Sequence, residues 1–204
     1  LSLIDVSDPT APEIRSSLQT SGFAVSIAMD GHLAVVGSSV QGGLGAMAVF
    51  DISDPADPVL LSQTPTQSGV YEVDLDQRKA VVSMRSFTVL YDLTDPTSPI
   101  EIARYEDDTW TTDGIALDGE RVHLSAWPGG LVILDFSNAI SPRRVIQTWW
   151  HPLPIVDGGP LGGYDVAVHE GASVVADGKF GLRVFEVKRC IPETGPNQGS
   201  PTVD

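Results

Sequence analysis

The sequence has little cysteine, little positive charge and few aromatic residues. Its one cysteine, Cys190, excludes an internal disulfide framework and a cysteine-rich metal site. The 12 lysine and arginine residues stand against 27 aspartate and glutamate residues, so the formal net charge is −15. That charge disfavours nucleic acids and anionic membrane surfaces as partners. No apolar run reaches the roughly 18 residues that a membrane-spanning helix needs.

What the sequence does contain is a repeated phrase, set among 20 glycines and 15 prolines. The phrase reads LSLIDVSDPTAP at 1–12, MAVFDISDPADP at 47–58, FTVLYDLTDPTSP at 87–99 and LVILDFSNAISP at 131–142, with a decayed copy, LRVFEVKRCIP, at 182–192. Its acidic anchors follow one another after 46, 41, 43 and 51 residues: Asp5, Asp51, Asp92, Asp135 and Glu186. A period of about 40–45 residues is typical of propeller blades or helical arrays.

The segments between the anchors predict strands. Their apolar runs are short, rich in β-branched residues and bounded by glycine, aspartate or proline, and none has a sustained helical period. Each full repeat holds four such runs, which we designate strands A, B, C and D in chain order. The predicted organisation is a partial blade at 1–19, full blades at about 23–64, 70–105 and 112–149, a partial blade at 164–187, and an extended tail at 188–204.

The repeated phrase itself predicts the turn between strands C and D. In Ser53-Asp54-Pro55 the polar side chains can accept hydrogen bonds from local backbone N–H groups. The proline fixes φ near the value that the first central residue of a turn requires. This structural role accounts for every residue of the phrase. The alternative is that the five acidic anchors line an ion site.

The repeat resembles the LVIVD repeat family. The residues that carry the resemblance are YDVAVHEGASVVADG at 164–178, GLRVFEV at 181–187 and the Asp-to-Pro phrase, over about residues 1–187. The resemblance implies β-propeller repeats of exported or cell-surface proteins, and it implies no shared catalytic residues. The sequence departs from the pattern at 137–142 and 188–192, where we expect looser turns.

The expected fold is therefore an all-β propeller of four-stranded antiparallel blades. The predicted strands do not form a whole number of four-stranded blades, because the chain contains a C–D pair at one end and an A–B–C set at the other. We expect the C-terminal part of a larger propeller, with six to eight blades. Cys190 is either a free thiol or a disulfide partner of the missing part.

One sector of the D–A and B–C loops is rich in tryptophan and is the predicted binding surface. These loops share one face of a propeller, where ligand and partner sites usually lie. The candidate binding residues are Trp110, Trp127, Trp149, Trp150, His151, Asp157 and Tyr164. The alternative is that the tryptophans form a local hydrophobic plug over a blade interface.

Carboxylates near this sector give a candidate metal site. Aligning the A strands puts Ser26, Glu72, Gly114 and Asp165 at equivalent inner positions, and further acids lie in or next to the loop before the third full blade. The candidate ligands, with Ca²⁺ as the candidate ion, are Glu72, Asp165, Asp107, Asp108 and Asp113. No catalytic residue is assigned, since the sequence contains no GxSxG, HExxH, CxxC or P-loop motif.

The sequence therefore predicts a non-catalytic interaction or scaffold module without a required cofactor. Its partner would be a protein, a glycan or the missing part of its own propeller, with no nucleic acid and no membrane insertion. The alternative is a lactonase-like propeller hydrolase with a metal in the central channel. The expected location is extracellular, cell-surface or periplasmic.

Overall fold

The computed structural model describes residues 1–40, 42–127, 130–148, 164–177 and 181–186. These residues form seventeen strands in five antiparallel sheets, and none of them lies in a helix. Accordingly, the described part of the chain offers no helix that could cross a membrane. The prediction of an all-β fold built on four-stranded antiparallel sheets is confirmed, and the larger closed ring stays a prediction.

The sheets follow one another along the chain. Sheet 1 is formed by β1 (Ser2–Asp5) and β2 (Glu13–Ser17). Sheet 2 is formed by β3 (Phe23–Asp30), β4 (Leu33–Ser39), β5 (Gly45–Asp51) and β6 (Val59–Thr66). Sheet 3 is formed by β7 (Val70–Asp76), β8 (Lys79–Met84), β9 (Phe87–Asp92) and β10 (Ile100–Glu106).

The last two sheets continue the series. Sheet 4 is formed by β11 (Thr111–Asp118), β12 (Arg121–Trp127), β13 (Gly130–Asp135) and β14 (Arg143–Thr148). Sheet 5 is formed by β15 (Asp165–His169), β16 (Ala172–Ala176) and β17 (Leu182–Glu186). In sheets 2 to 4 the strand order is A-B-C-D, with each strand paired to the next in the chain.

The core lies between consecutive sheets. The A strands β3, β7, β11 and β15 contact one another in succession. Because side chains alternate along a strand, each inner sheet buries one apolar set against the preceding sheet and the other against the following sheet. For example, Val82 of β8 packs toward sheet 2, whereas its neighbour Val81 packs toward sheet 4. Both faces of the middle sheets are thereby buried.

The turns between strands C and D are held by a repeated pair of side-chain hydrogen bonds. In the first member of the pair, the anchor carboxylate accepts the backbone N–H two residues later, as Asp51 does from Ser53 at 2.9 Å and Asp92 from Thr94 at 2.7 Å. In the second, Asp54 accepts the N–H of Ala56 at 2.9 Å. These local bonds lower the pKa of the Asp51 and Asp92 carboxyls and support the structural role of the phrase.

The departure from the phrase at 137–142 does not loosen its turn. Asp135 still accepts the N–H of Ser137 at 3.0 Å, and the side-chain oxygen of Asn138 accepts the N–H of Ile140 at 3.1 Å. Asparagine has the same acceptor geometry as aspartate at this position, so the expectation of a looser turn is wrong here. The second departure, at 188–192, lies outside the described residues.

Candidate binding site on the loop side

Antiparallel pairing divides the strand connections between two sides of the molecule. The A–B and C–D turns lie on one side, which we call the turn side. The B–C and D–A connections lie on the other, which we call the loop side. A single sector of the loop side therefore gathers the β8–β9 turn, the β10–β11 loop and the end of β12.

This sector contains a cavity of about 630 Å³ between sheets 3 and 4. Its lining combines aromatic rings with charged and hydroxyl side chains, among them Tyr71, Arg85, Asp108, Thr109, Trp110 and Trp127. Such a mixture of apolar rings and a few polar groups is typical of ligand sites.

Trp110 forms the floor of the cavity. Its side chain is 7% exposed and stacks on Tyr105 with a centroid distance of 6.4 Å. The guanidinium of Arg144 lies 5.5 Å from the Trp110 ring centroid and also approaches Asp107, with 3.9 Å between nitrogen and oxygen. This packing is that of a hydrophobic plug between sheets, which leaves little of the ring free for a ligand.

Trp127 and Tyr71 form the exposed rim of the cavity. Their exposed fractions are 44% and 37%. Trp127 is the last residue of β12 and pairs with Thr111 at the start of β11. Tyr71 stands at the start of β7, on the neighbouring sheet. An exposed tryptophan beside an exposed tyrosine offers a large, rigid contact area with polar tips.

Two lining residues were missed by the sequence reasoning. Tyr71 and Arg85 come from repeat 70–105, which contains no tryptophan, whereas the binding surface was predicted from the positions of the tryptophans. The available signal was their position: Tyr71 lies directly after the loop that enters an A strand, and Arg85 lies in the B–C turn of the same repeat. Both positions face the loop side by topology alone.

The predicted acidic ligands of the loop are divided among different environments. Asp107 accepts the backbone N–H of Thr109 at 2.8 Å, so part of its carboxylate is used locally. Asp108 lines the cavity. Asp113 is exposed on β11, where partial burial of its carboxyl raises its pKa.

The predicted inner row of A-strand positions is brought together. The Ser26 hydroxyl donates to the Glu72 carboxylate at 2.7 Å, and a Cβ on Gly114 would lie 2.6 Å from the Cα of Asp165. Burial raises the pKa of Glu72, and the nearby charges of Asp165 and Asp113 raise it further. Within the described residues, no three acidic, histidine or cysteine side chains are grouped as metal ligands would be.

The remaining predicted binding residues lie away from this cavity or outside the described residues. Tyr164 is 54% exposed at the start of sheet 5, where its backbone N–H bonds to the Ala176 carbonyl at 2.8 Å. Outside the described residues lie Trp149, Trp150, His151 and Asp157, together with Cys190 and the tail.

Comparisons with known proteins agree with this architecture. The model of the LVIVD repeat family matches residues 1–20, 21–66 and 111–147. No curated protein matches the chain. Two crystal structures of computationally designed proteins, Ika4 and Ika8, are similar to it with a TM-score of 0.62 and 15% sequence identity each. The alignment covers 84% of this chain and 96% of Ika4, and 86% of this chain and 50% of Ika8. At this identity the likeness shows the fold alone.

Proposed function

Because the chain belongs to the LVIVD repeat family, we propose that it is a non-catalytic, propeller-type interaction module that binds a partner through its loop side. The sheets provide a rigid frame, since each middle sheet is buried on both faces. The strand ends and connections on the loop side are free to differ, as Tyr71 and Trp127 at strand ends and Arg85 in the β8–β9 turn illustrate. A rigid frame that presents variable loops is the usual construction of a binding surface.

The observation that carries the proposal is the cavity of about 630 Å³ with an exposed aromatic rim. The rings of Trp127 and Tyr71 can pack against the apolar face of a sugar or of a protein side chain. Arg85, Asp108 and Thr109 supply donors and acceptors for hydroxyl, amide or carboxylate groups at the same place. A glycan or a protein segment with alternating apolar and polar surfaces could contact both the aromatic and the polar residues of this lining.

The five sheets are proposed to be part of a larger ring of six to eight blades. In support, the A strands β3, β7, β11 and β15 contact one another in sequence. LVIVD repeats are typically found in exported proteins. We place the module accordingly in an extracellular, cell-surface or periplasmic setting, where glycans and protein partners are both accessible.

The test is a binding screen with two rim variants. Wild-type chain is applied to a glycan array and, in parallel, to immobilised surface proteins, and the hits are repeated with Trp127→Ala and Tyr71→Ala. We expect each variant to lose at least about tenfold in affinity, since exposed aromatic anchors dominate binding energy. Ile140→Ala is the matched control, because Ile140 is 97% exposed but lies on the turn side. Equal binding by all four proteins would contradict the proposal.

A second candidate function, a hydrolase with a metal in the central channel, is favoured by one observation. Glu72 lies half-buried on β7, where it accepts a hydrogen bond from the Ser26 hydroxyl at 2.7 Å, and burial together with the charges of Asp165 and Asp113 raises its pKa. Elemental analysis of the purified protein tests this candidate. Stoichiometric metal that is lost in Glu72→Gln would support it, and metal-free protein whose thermal midpoint is unchanged by added Ca²⁺ or Zn²⁺ would oppose it.

A further inference from the structure

The cavity between sheets 3 and 4 is bordered by the same position of two successive repeats. Arg85 lies six residues after Lys79, the first residue of β8. Trp127 lies six residues after Arg121, the first residue of β12. Both side chains line the cavity, so one repeat supplies a guanidinium and the next supplies an indole ring.

A β-bulge in β7 directs the tyrosine of the rim out of the core. The register between β7 and β8 shifts between Val70 and Glu72, which makes Tyr71 the extra residue. Val70 and Val73 are both buried in the apolar cluster shared with sheet 2, whereas Tyr71 is 37% exposed. Bulges re-aim side chains in this way and are frequent beside functional sites. The backbone itself therefore places the Tyr71 ring at the cavity.

The loop wall of the cavity is held in place by its own hydrogen bonds. The Asp107 N–H donates to the Ser86 carbonyl at 3.1 Å, which joins the β10–β11 loop to the β8–β9 turn. The Asp107 carboxylate accepts the Thr109 N–H at 2.8 Å and approaches the Arg144 guanidinium at 3.9 Å. A wall that is ordered before binding loses little conformational entropy when a ligand arrives.

The equivalent place between sheets 2 and 3 is closely packed. Ser39 holds the B-strand position there, and its hydroxyl donates to the Val70 carbonyl at 3.3 Å. A Cβ on Gly69 would lie 2.7 Å from the same hydroxyl oxygen. Two small residues thus let sheets 2 and 3 close at this place, while Arg85 and Trp127 border an open cavity between sheets 3 and 4.

Arg85 has an available guanidinium in an acidic chain. Most lysine and arginine side chains of the described residues form ion pairs with carboxylates: Arg15, Lys79, Arg104, Arg143, Arg144 and Arg183. Arg85 is exposed and forms no ion pair with any residue that the structure describes, although Asp108 lines the same cavity. Its planar set of N–H donors matches a carboxylate in a bidentate pair. The cavity therefore offers a binding position for a carboxylate that the chain does not fill.

The rest of the lining fits a sugar better than a peptide. The flat faces of Trp127 and Tyr71 suit the C–H face of a sugar ring, and Asp108 and Thr109 can bond to its hydroxyl groups. A peptide that adds a strand needs a free sheet edge, and a peptide anchor needs an apolar pocket. This cavity opens at strand ends instead, and its apolar floor, Trp110, is only 7% exposed.

On the basis of the loop-side binding function stated above, we propose that this cavity selects an acidic sugar, a hexuronate within a glycan. The Arg85 guanidinium binds the carboxylate, the Trp127 ring packs on the sugar ring, and Asp108 and Thr109 bind hydroxyl groups. The net charge of −15 repels anions at long range, and salt screens that repulsion beyond about 10 Å at 0.1 M. Selectivity for the acid consequently depends on this one arginine at short range.

The experiment is calorimetry with two uronate trimers, one of α-linked galacturonate and one of β-linked mannuronate, and with their methyl esters. The esters keep the sugar rings and lose the charge. We expect at least one acid to bind at least about tenfold more tightly than its ester, since charged hydrogen bonds are stronger than neutral ones. Arg85→Gln should abolish this preference, and Arg85→Lys should keep part of it, because lysine supplies the charge without the fork of donors. Arg78→Gln is the matched control, since it removes the same charge from an exposed arginine on the turn side and should keep the preference.

Trp127→Ala separates failure of the acidic-sugar proposal from failure of the binding surface. It should weaken acid and ester about equally, because the ring contacts the sugar and not its charge. Equal affinity for acid and ester, or a preference that persists in Arg85→Gln, would overturn the acidic-sugar proposal. So would failure of both acids to bind while another glycan, or a peptide, is still captured in a Trp127-dependent way, but the loop-side binding function would then stand. If no ligand at all depends on Trp127, both are overturned.

Discussion

The interface between sheets 3 and 4 and the interface between sheets 4 and 5 differ in the interactions that stabilise them. The first is a continuous apolar cluster that includes Leu117, Val122 and Leu124. The second has a smaller apolar cluster and contains a buried polar contact, in which His123 Nδ1 and the Ser173 hydroxyl are 2.7 Å apart. Apolar packing does not respond to protons, whereas a buried imidazole does.

This difference indicates that sheet 5 is held less stably than sheets 3 and 4. The interface between sheets 3 and 4 combines its larger apolar cluster with a hydrogen bond from the Leu117 N–H to the Asp74 carboxylate at 2.7 Å. Sheet 5 is held by a smaller apolar cluster and has one strand fewer among the described residues. A terminal unit with fewer buried contacts opens at a lower free energy than the middle of the molecule.

The largest expected effect comes from breaking the apolar interface. Leu124 is fully buried on β12. Leu124→Ala should lower the free energy of unfolding by about 3 kcal/mol, through lost burial and the cavity left behind. The measurement is the urea midpoint. Leu44→Ala is the control, because Leu44 is 55% exposed and its loss should change the free energy by less than about 0.5 kcal/mol. Equal effects of the two substitutions would contradict the described burial.

Acid should weaken the polar interface next. Burial lowers the pKa of His123 to about 4 from its ordinary value of 6.5. Between these two values the unfolded chain binds the proton and the folded chain does not, so stability falls as pH drops from 6.5 to 4. The full shift corresponds to about 3 kcal/mol. Hydrogen exchange of β15 and β16 amides, at pH 7 and pH 5, reports the loss where it occurs.

A matched variant isolates this histidine from the carboxylates. Glu72 and Asp113 have raised pKa values, so their protonation favours the folded state and opposes the histidine as pH falls. His123→Gln keeps a polar side chain that can bond to Ser173 but removes the titration. The difference in pH dependence between wild type and His123→Gln should have the sign stated above. Identical profiles would show that His123 does not carry the pH dependence.

Crowding the inner strands should have an intermediate effect on the same interface. A Cβ at position 114 would lie 2.6 Å from the Cα of Asp165, which is backbone and cannot simply rotate away. Gly114→Ala should therefore push β15 from β11 and cost about 2 kcal/mol. Thermal unfolding measures the loss. Gly119→Ala tests a glycine with open space around it but a φ of +63°, so a similar loss there would reflect backbone strain rather than crowding.

How much of this could be predicted from the sequence depends on the range of the interaction. The strands and the Asp-to-Pro turns follow from residues within about ten positions, which is why the four-stranded sheets are confirmed. The row from Ser26 to Asp165 also follows, because equivalent positions of a repeat occupy equivalent places in successive sheets. Local patterns and repeat arithmetic together account for the frame of the molecule.

Neither the cavity nor the exposure of Met29 could be predicted from local patterns and repeat spacing. Tyr71 and Arg85 meet Trp127 only because sheets 3 and 4 pack at a particular distance and angle, which strand patterns do not encode. Likewise, Met29 is as apolar as Leu117, and its exposure depends on the absence of a neighbouring B strand in the described chain. Trp110 and Trp127 look alike in the sequence, yet packing buries one ring and exposes the other.

The smallest expected effect concerns the turns that both interfaces share. Asp92→Ala in sheet 3 and Asp135→Ala in sheet 4 each remove acceptors of a local backbone N–H. Each should cost about 1 kcal/mol in urea denaturation, comparable to the loss of a capping side chain. Asp57→Ala is the control, since the Asp57 side chain accepts no hydrogen bond among the described residues and should be near neutral. Asp92 also accepts from the Thr94 hydroxyl at 2.6 Å, and Asp135 from the exposed Arg143 guanidinium at 3.2 Å. Because all of these bonds stay within one turn and its flanking strands, the two losses should be similar despite the different interfaces. A loss at Asp135 that persists as clearly larger in an Arg143→Ala background would mean that turn and interface are energetically coupled.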